Sequence, residues 1–149
     1  MLATHDRKSS CDLRSAVASA LLGPVPLRTS DEHGARGDRY DGILLNYANP
    51  LTGGPTLPTF NCAIQMLRPG EKTSAHRHTS SALYHVFRGK GATTIGDTRF
   101  DWEEGDSFVA PLWQYHRHEN TYGQPAILFV MNDQPLMEAL GFYREEEQG

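Results

Sequence analysis

The chain has 149 residues, the size of one ordinary domain, with hydrophobic residues at 38% and charged residues at 21%. Its 14 Lys and Arg against 18 Asp and Glu leave a formal charge of -4; no basic cluster offers the footprint a nucleic-acid ligand needs, so DNA and RNA are not expected partners. Two cysteines, Cys11 and Cys62, make no disulfide framework. The most apolar N-terminal stretch, residues 16–27, is broken by Ser19, Gly23 and Pro24 and falls short of the roughly 20 residues that a spanning helix takes. The expectation is a cytoplasmic protein with free thiols and no membrane segment.

The pattern divides the chain into residues 1–40, an N-terminal helical arm and linker, and residues 41–149, a β-barrel. In the arm, Ser9 or Ser10 caps a short helix whose Leu13, Val17 and Leu21 recur every four residues until Gly23-Pro24 stops it. Residues 28–40 are charged, contain glycine and follow no period, which reads as a loop or linker. From residue 41 onward, short apolar or alternating runs cover 43–47, 61–67, 82–87, 92–95, 98–102, 107–110, 115–118 and 126–131, separated by Gly, Pro and Asp. That spacing predicts an all-β sandwich or barrel. Gly96-Asp97 between two β-forming runs predicts a tight hairpin. Residues 133–143 hold Leu136, Leu140 and Tyr143 at helical spacing behind Pro135, so a short helix closes the chain.

Four of the seven histidines fall into two pairs, His76-Arg77-His78 and His116-Arg117-His118. In a strand, residues i and i+2 share a face, so each pair can aim two imidazoles at one point while Arg77 and Arg117 point away. A single such pair is better explained by surface histidines in loops. Two pairs framed by the glycines and prolines of a small barrel make a central metal pocket the sharper reading. His85 lies within an expected core strand and reads as a satisfied histidine rather than a ligand. Asp101, Glu103, Glu104 and Asp106 read as a solvated turn, and no carboxylate pair flanks the histidine frame.

The segment PGEKTSAHRH (69–78), continued to Arg88-Gly89, resembles the first motif of the cupin superfamily, and GDSFVAPLWQYHRHEN (105–120) resembles the second. NPLTGGPTLPT (49–59), HRHTSSALYHV (76–86) and DQPLMEALGFYRE (133–145) resemble the gentisate 1,2-dioxygenase family and its relatives acting on salicylate and 1-hydroxy-2-naphthoate, in a C-terminal-type cupin frame. The resemblance implies a double-stranded β-helix, or jelly-roll barrel, with metal ligands at His76, His78 and His116. The position of the general cupin glutamate ligand is taken by Ala82, which would leave an all-histidine facial site with open positions. Tyr84 stands where the resemblance places a carboxylate-binding arginine, and Val130 near where it places an acid on the last strand.

The resemblance implies a mononuclear non-haem Fe(II) ring-cleaving dioxygenase-like cupin that joins a small aromatic hydroxy-acid to dioxygen. Mn, Ni or Zn could occupy the same ligands, since affinity alone does not select among them. Tyr84 and Trp113 are the expected substrate-pocket residues. His118 is the expected acid/base, or else a histidine that supports its neighbours by hydrogen bonding. The alternative is a metal-binding cupin without ring cleavage, or a cupin enzyme of another reaction class. A lone barrel also exposes its edges, so a homodimer is expected.

Overall fold

Alternation along the chain from residue 41 resolves into strands whose inner positions meet in one core. The computed structural model describes residues 37–149 and the backbone of residues 27–29; the expected N-terminal helix, Cys11, His5 and His33 lie outside the described residues. In chain order the strands are β1 (Leu27–Thr29), β2 (Ile43–Tyr47), β3 (Asn61–Leu67), β4 (His76–His78), β5 (Ala82–Arg88) and β6 (Lys90–Ile95). They continue with β7 (Thr98–Glu103), β8 (Ser107–Ala110), β9 (His116–Glu119), β10 (Ala126–Asn132) and β11 (Glu145–Glu147), with helix α1 (Gln134–Ala139) after β10. They form a six-stranded sheet, β1-β2-β3-β10-β5-β8, and a five-stranded sheet, β11-β4-β9-β6-β7, with every pairing antiparallel.

The period of 2 decides what each strand buries. On β3, Ala63 and Leu67 face inward; they cluster with Val86 of β5, Ala126 and Leu128 of β10 and Trp102 of β7. The other face of the six-stranded sheet carries a second cluster of Ile43, Leu45, Ile64, Met66 and Ile127. Each large aliphatic side chain taken fully out of water contributes about 1.5–3 kcal/mol.

Several expectations are corrected here. Residue 28 does not open a loop: Leu27–Thr29 pairs antiparallel with β2, Leu27 opposite Tyr47. Asp38 and Gly42 form an isolated bridge, and Ser74 N–H donates to Arg39 O at 2.7 Å, so this turn is tied to the segment leading into β4. The closing helix stops at Ala139, where Gly141 takes a φ of 71°, and the chain then adds β11. His85, on β5, is exposed on the outer face of the strand rather than in its interior, with Nδ1 2.9 Å from Ser107 Oγ, and is not one of the converging histidines.

The metal face is built by β9, foretold by the run 115–118, and by β4, which carries no obvious strand signal. β4 pairs with β9 at a single register point, His76 opposite His116. Residues 71–73 extend that contact: Thr73 N–H donates to His118 O at 2.9 Å, and His118 N–H donates to Thr73 Oγ1 at 2.9 Å. On its other side β4 is flanked by β11, with Glu145, Glu146 and Glu147 opposite His78, Arg77 and His76. Arg77 Nη2 lies 2.6 Å from Glu146 Oε2, and Arg39 pairs with Glu147.

Gly96 meets its turn with a φ of 57°, which lets β6 and β7 join in register with Ile95 opposite Thr98. Gly91 on β6 answers a different demand: a Cβ there would lie 2.4 Å from the Trp102 ring and 2.5 Å from Glu119 O. Trp102 Nε1–H donates to Thr93 Oγ1 at 2.9 Å, and that hydroxyl bonds His118 Nδ1 at 2.9 Å. Gly91→Ala is therefore expected to overpack the barrel by about 1–3 kcal/mol and to shift tryptophan fluorescence as Trp102 moves. An unchanged thermal midpoint and emission spectrum would refute this packing.

Candidate metal centre

Three imidazoles converge because two strands carry them on one inner face. His76 and His78 occupy alternate positions of β4, and His116 opens β9 directly across from His76. The ring centroids lie 4.5 Å apart for His76–His116, 4.9 Å for His78–His116 and 5.4 Å for His76–His78. Each ring offers one nitrogen within 4.8 Å of the other two.

The hydrogen bonds orient the rings as ligands. His116 Nδ1–H donates to Gln114 O at 3.0 Å, leaving its Nε2 buried without a partner. His78 Nδ1–H donates to Ser80 O at 2.7 Å, with Ser80 Oγ 2.9 Å away, so its proton is fixed on that side and its Nε2 carries the lone pair. His76 leaves Nδ1 buried and unpartnered. Buried ring nitrogens without a donor are costly alone and are what a cation requires, so the residues present fit a divalent metal.

Electrostatics point the same way. Burial holds His76 and His78 below the ordinary imidazole range, and it brings His116 down to about 3, with the neighbouring His76 adding to the effect. The rings are neutral at neutral pH, the form that binds metal.

A cavity of about 520 Å3 opens onto His76 and His78, with Ala82, Tyr84 and Val130 on its wall. Tyr84 is buried, its ring stacked on Phe108 at 4.9 Å. Trp113 is not among the residues lining this cavity: held at a φ of 59° by the loop before β9, it stacks under the Arg77 guanidinium at 4.4 Å, and its backbone N–H donates to His78 O at 2.7 Å. His118 is likewise set back from the wall. It is fully buried, 4.9 Å from the Tyr84 ring, and Thr93 Oγ1 contacts its Nδ1. Thr93 takes the Trp102 N–H as acceptor, so its own proton is available to His118 Nδ1. Arg77 and Arg117 point outward, as alternation requires; Arg77 pairs with Glu146 and Arg117 lies 3.6 Å from Glu119.

Sequence reasoning missed the polar part of the wall. Gln65 is fully buried on the inner face of β3; its Nε2–H donates to Asp41 O at 2.9 Å, which leaves Oε1 without a partner. Asp41 lines the same cavity, and burial together with nearby Asp38 pushes its carboxyl up to about 7. Asp38, Glu138 and Glu145 also reach the wall, so carboxylates do flank the histidine frame, contrary to expectation. They come from segments remote in sequence. The available signal was Gln65 itself, one amide in the otherwise apolar run 61–67.

The Cupin domain family model matches residues 63–132. 5-Aminosalicylate 1,2-dioxygenase of Comamonas sp is 50% identical over 113 residues, which is 76% of this chain and 30% of that protein. 1-Hydroxy-2-naphthoate 1,2-dioxygenase of Nocardioides sp. (strain KP7) is 41% identical over 113 residues, 75% of this chain and 29% of that protein. Among solved structures, the salicylate 1,2-dioxygenase of Pseudoaminobacter salicylatoxidans in adducts with gentisate superposes with a TM-score of 0.70 at 28% identity, covering 92% of this chain and 34% of that one. The chain thus spans about a third of the length of these relatives.

Replacing His76, His78 or His116 with Ala is expected to lower bound divalent metal strongly, whereas His85→Ala, out on the opposite face, leaves it intact; metal content of the purified variants decides. A histidine whose folded value lies below its ordinary 6.5 stabilises the fold fully above that value and loses the contribution as pH falls toward the folded one. Metal-free protein is therefore expected to lose stability between about pH 6.5 and about pH 3, and saturating metal should move that loss to lower pH. A metal-free melting temperature flat across this window would contradict the burial of these rings.

Proposed function

Since the chain belongs to the cupin superfamily and is similar to the gentisate-type ring-cleaving dioxygenases, we propose that it holds Fe(II) on His76, His78 and His116 and cleaves the ring of a small aromatic hydroxy-acid with dioxygen. One observation carries this reading. Three neutral imidazoles, two of them with buried and unpartnered nitrogens, converge beside a cavity of about 520 Å3, a volume suited to one small ligand. When bound, the metal would supply Lewis acidity and a conduit for electrons from the chelated acid to dioxygen.

The chain's own residues do the rest. Ser80 and Gln114 fix the protons of His78 and His116 away from the metal side. Ala82, where a fourth ligand would stand, leaves room for a chelating carboxylate and its adjacent hydroxyl. Tyr84 and Val130 provide a buried wall for the ring, and with Ala82 they exclude water from it. Cleavage that retains both oxygen atoms draws its four electrons from the substrate, so it requires no external reductant. Trp113 acts from outside the cavity: its backbone N–H bonds His78 O and its ring lies under Arg77, together holding the β4 end in place. His118, behind the wall, contributes a fixed ring beside Tyr84.

We also read the protein as cytoplasmic and homodimeric. No described helix is long and apolar enough to cross a membrane. Leu83, Phe87 and Val109 leave 37%, 48% and 49% of their surfaces exposed on the outer face of β5 and β8, which supports burial against a second copy. Sedimentation is expected to give a dimer mass that falls when Phe87 is replaced with Lys; a concentration-independent monomer refutes this.

The deciding experiment is metal analysis of protein purified without a chelating tag, followed by oxygen uptake on Fe(II) reconstitution with gentisate, salicylate, 5-aminosalicylate and 1-hydroxy-2-naphthoate. Stoichiometric consumption of oxygen and one of these acids is the expected result. Full metal occupancy with no uptake on any of them would favour a cupin that binds metal without ring cleavage. That outcome has its own support in a cavity wall whose described residues offer no Arg or Lys to a carboxylate.

A further inference from the structure

Arg77 stands between His76 and His78 on β4 and faces away from the metal side. An outward cation on a short strand would ordinarily be solvated, yet only 27% of this side chain is exposed. Its guanidinium carbon lies 4.4 Å from the centre of the Trp113 ring and 4.5 Å from that of Tyr115, both in the loop that leads into His116. Its Nε and Nη2 donate at 3.0 and 2.6 Å to one oxygen of Glu146, directly opposite on β11. One planar group therefore touches the strand that carries His76 and His78, the loop that delivers His116, and the strand that flanks them.

The ladder between the two ligand-bearing segments is too short to fix their spacing unaided. β4 has three residues and meets β9 at a single register pair, His76 opposite His116. The loop makes up for this with an unusual backbone. Trp113 is the one described residue other than glycine with a positive φ, 59°, a conformation that a bulky side chain rarely adopts. Such a conformation persists only where its surroundings over-determine it. Both halves of Trp113 are engaged: the turn brings its backbone N–H to His78 O at 2.7 Å and lays its ring against Arg77.

Resting on the reading that His76, His78 and His116 hold one divalent metal, we propose that Arg77 is a positioning residue for that metal: stacked on Trp113 and Tyr115 from the outer face of β4, it sets the spacing between the ligand pair of β4 and the ligand of β9. The plane of the guanidinium matters here, and its charge does not. By charge alone a cation on the metal strand opposes a bound dication, so an electrostatic role would predict tighter metal binding once it is removed. The ion pair with half-exposed Glu146 adds little. A flat guanidinium packs against aromatic faces as a rigid plate, which the ammonium of lysine cannot do.

The test is titration of the metal-free full chain and its variants with Co(II), read by visible absorption, with affinities from competition against a chelator and the thermal midpoint of each metal-free protein measured alongside. Arg77→Lys, which keeps the charge, and Arg77→Met, which removes it, are both expected to bind about 10- to 100-fold more weakly, the scale on which groups that orient metal ligands act, and with an altered Co(II) spectrum. Trp113→Gly suits the backbone turn but lacks the ring, and should weaken binding likewise. Trp113→Phe, which restores a ring, and Glu146→Gln should stay within about twofold of the native chain. Native affinity and spectrum in Arg77→Lys, tighter binding in Arg77→Met, or native binding by Trp113→Gly each overturns the proposal. Weaker binding with an unaltered spectrum that tracks a lower thermal midpoint also overturns it, because that pattern marks lost packing alone. Should the Arg77 variants fail to fold, the contrast between Trp113→Gly and Trp113→Phe decides. A native chain that takes up no Co(II) refutes the three-histidine reading and the proposal with it; a native chain that binds, with every variant matching it, overturns the proposal alone.

Discussion

The His76–His116 pair holds two imidazoles with ring centroids 4.5 Å apart across neighbouring strands, and rings that close, in a buried place, can stay together only while uncharged or while sharing a cation. The rest of the site is arranged around that constraint. The backbone carbonyls of Ser80 and Gln114 take the ring protons of His78 and His116, so that the lone pairs are left for the common point. Thr73 ties its own backbone and hydroxyl to His118, keeping β9 alongside the chain that leads into β4. Register here is chemistry: a slip of one residue on β4 would replace two imidazoles with Arg77 on the inner face.

The packing behind the site serves the same end by different means. Trp102 lies over Gly91, bonds Thr93 and through it reaches His118. The aromatic layer of Tyr84, Phe108 and Trp102, with Tyr84 and Phe108 nearly parallel at 9° and Phe108 and Trp102 at 13°, fills the barrel beyond the metal face. The wall next to the histidines is consequently stiff and apolar on one side, and polar on the other where Gln65 and Asp41 face it. The cavity thus presents two unlike surfaces, apolar on one side and polar on the other.

Much of this was legible in the residues. The strands at 43–47, 61–67 and 107–110 have the bounds that their alternation and flanking turns foretold, and the His-Arg-His spacing placed imidazoles inward and guanidiniums outward. Other parts were not. β11 is Glu145-Glu146-Glu147, poor strand formers that extend because they pair with β4, where Arg77 meets Glu146, with Arg39 meeting Glu147 beside it; tertiary context overrides local propensity there. β4 is too short to show a period. Trp113 sits in the loop that leads to His116, yet a left-handed backbone swings its ring outward onto Arg77, an event that composition does not announce. The polar wall depends on contacts such as Gln65 with Asp41, 24 residues apart, which no local pattern contains.

The strand pairing of β11 with β4 has a kinetic side. Arg77 and Glu146 are 69 positions apart, so one border of the metal-bearing strand closes only after a long loop has been ordered. Its other border, on β9, rests on a single register pair. Contacts of such high sequence separation form late, after more local hairpins such as β6–β7 have assembled. Interactions that are absent from the rate-limiting barrier slow unfolding and leave the folding rate nearly untouched. The last-formed seam of the barrel is therefore where bound metal would act most strongly, lengthening the lifetime of the native state rather than hastening its arrival.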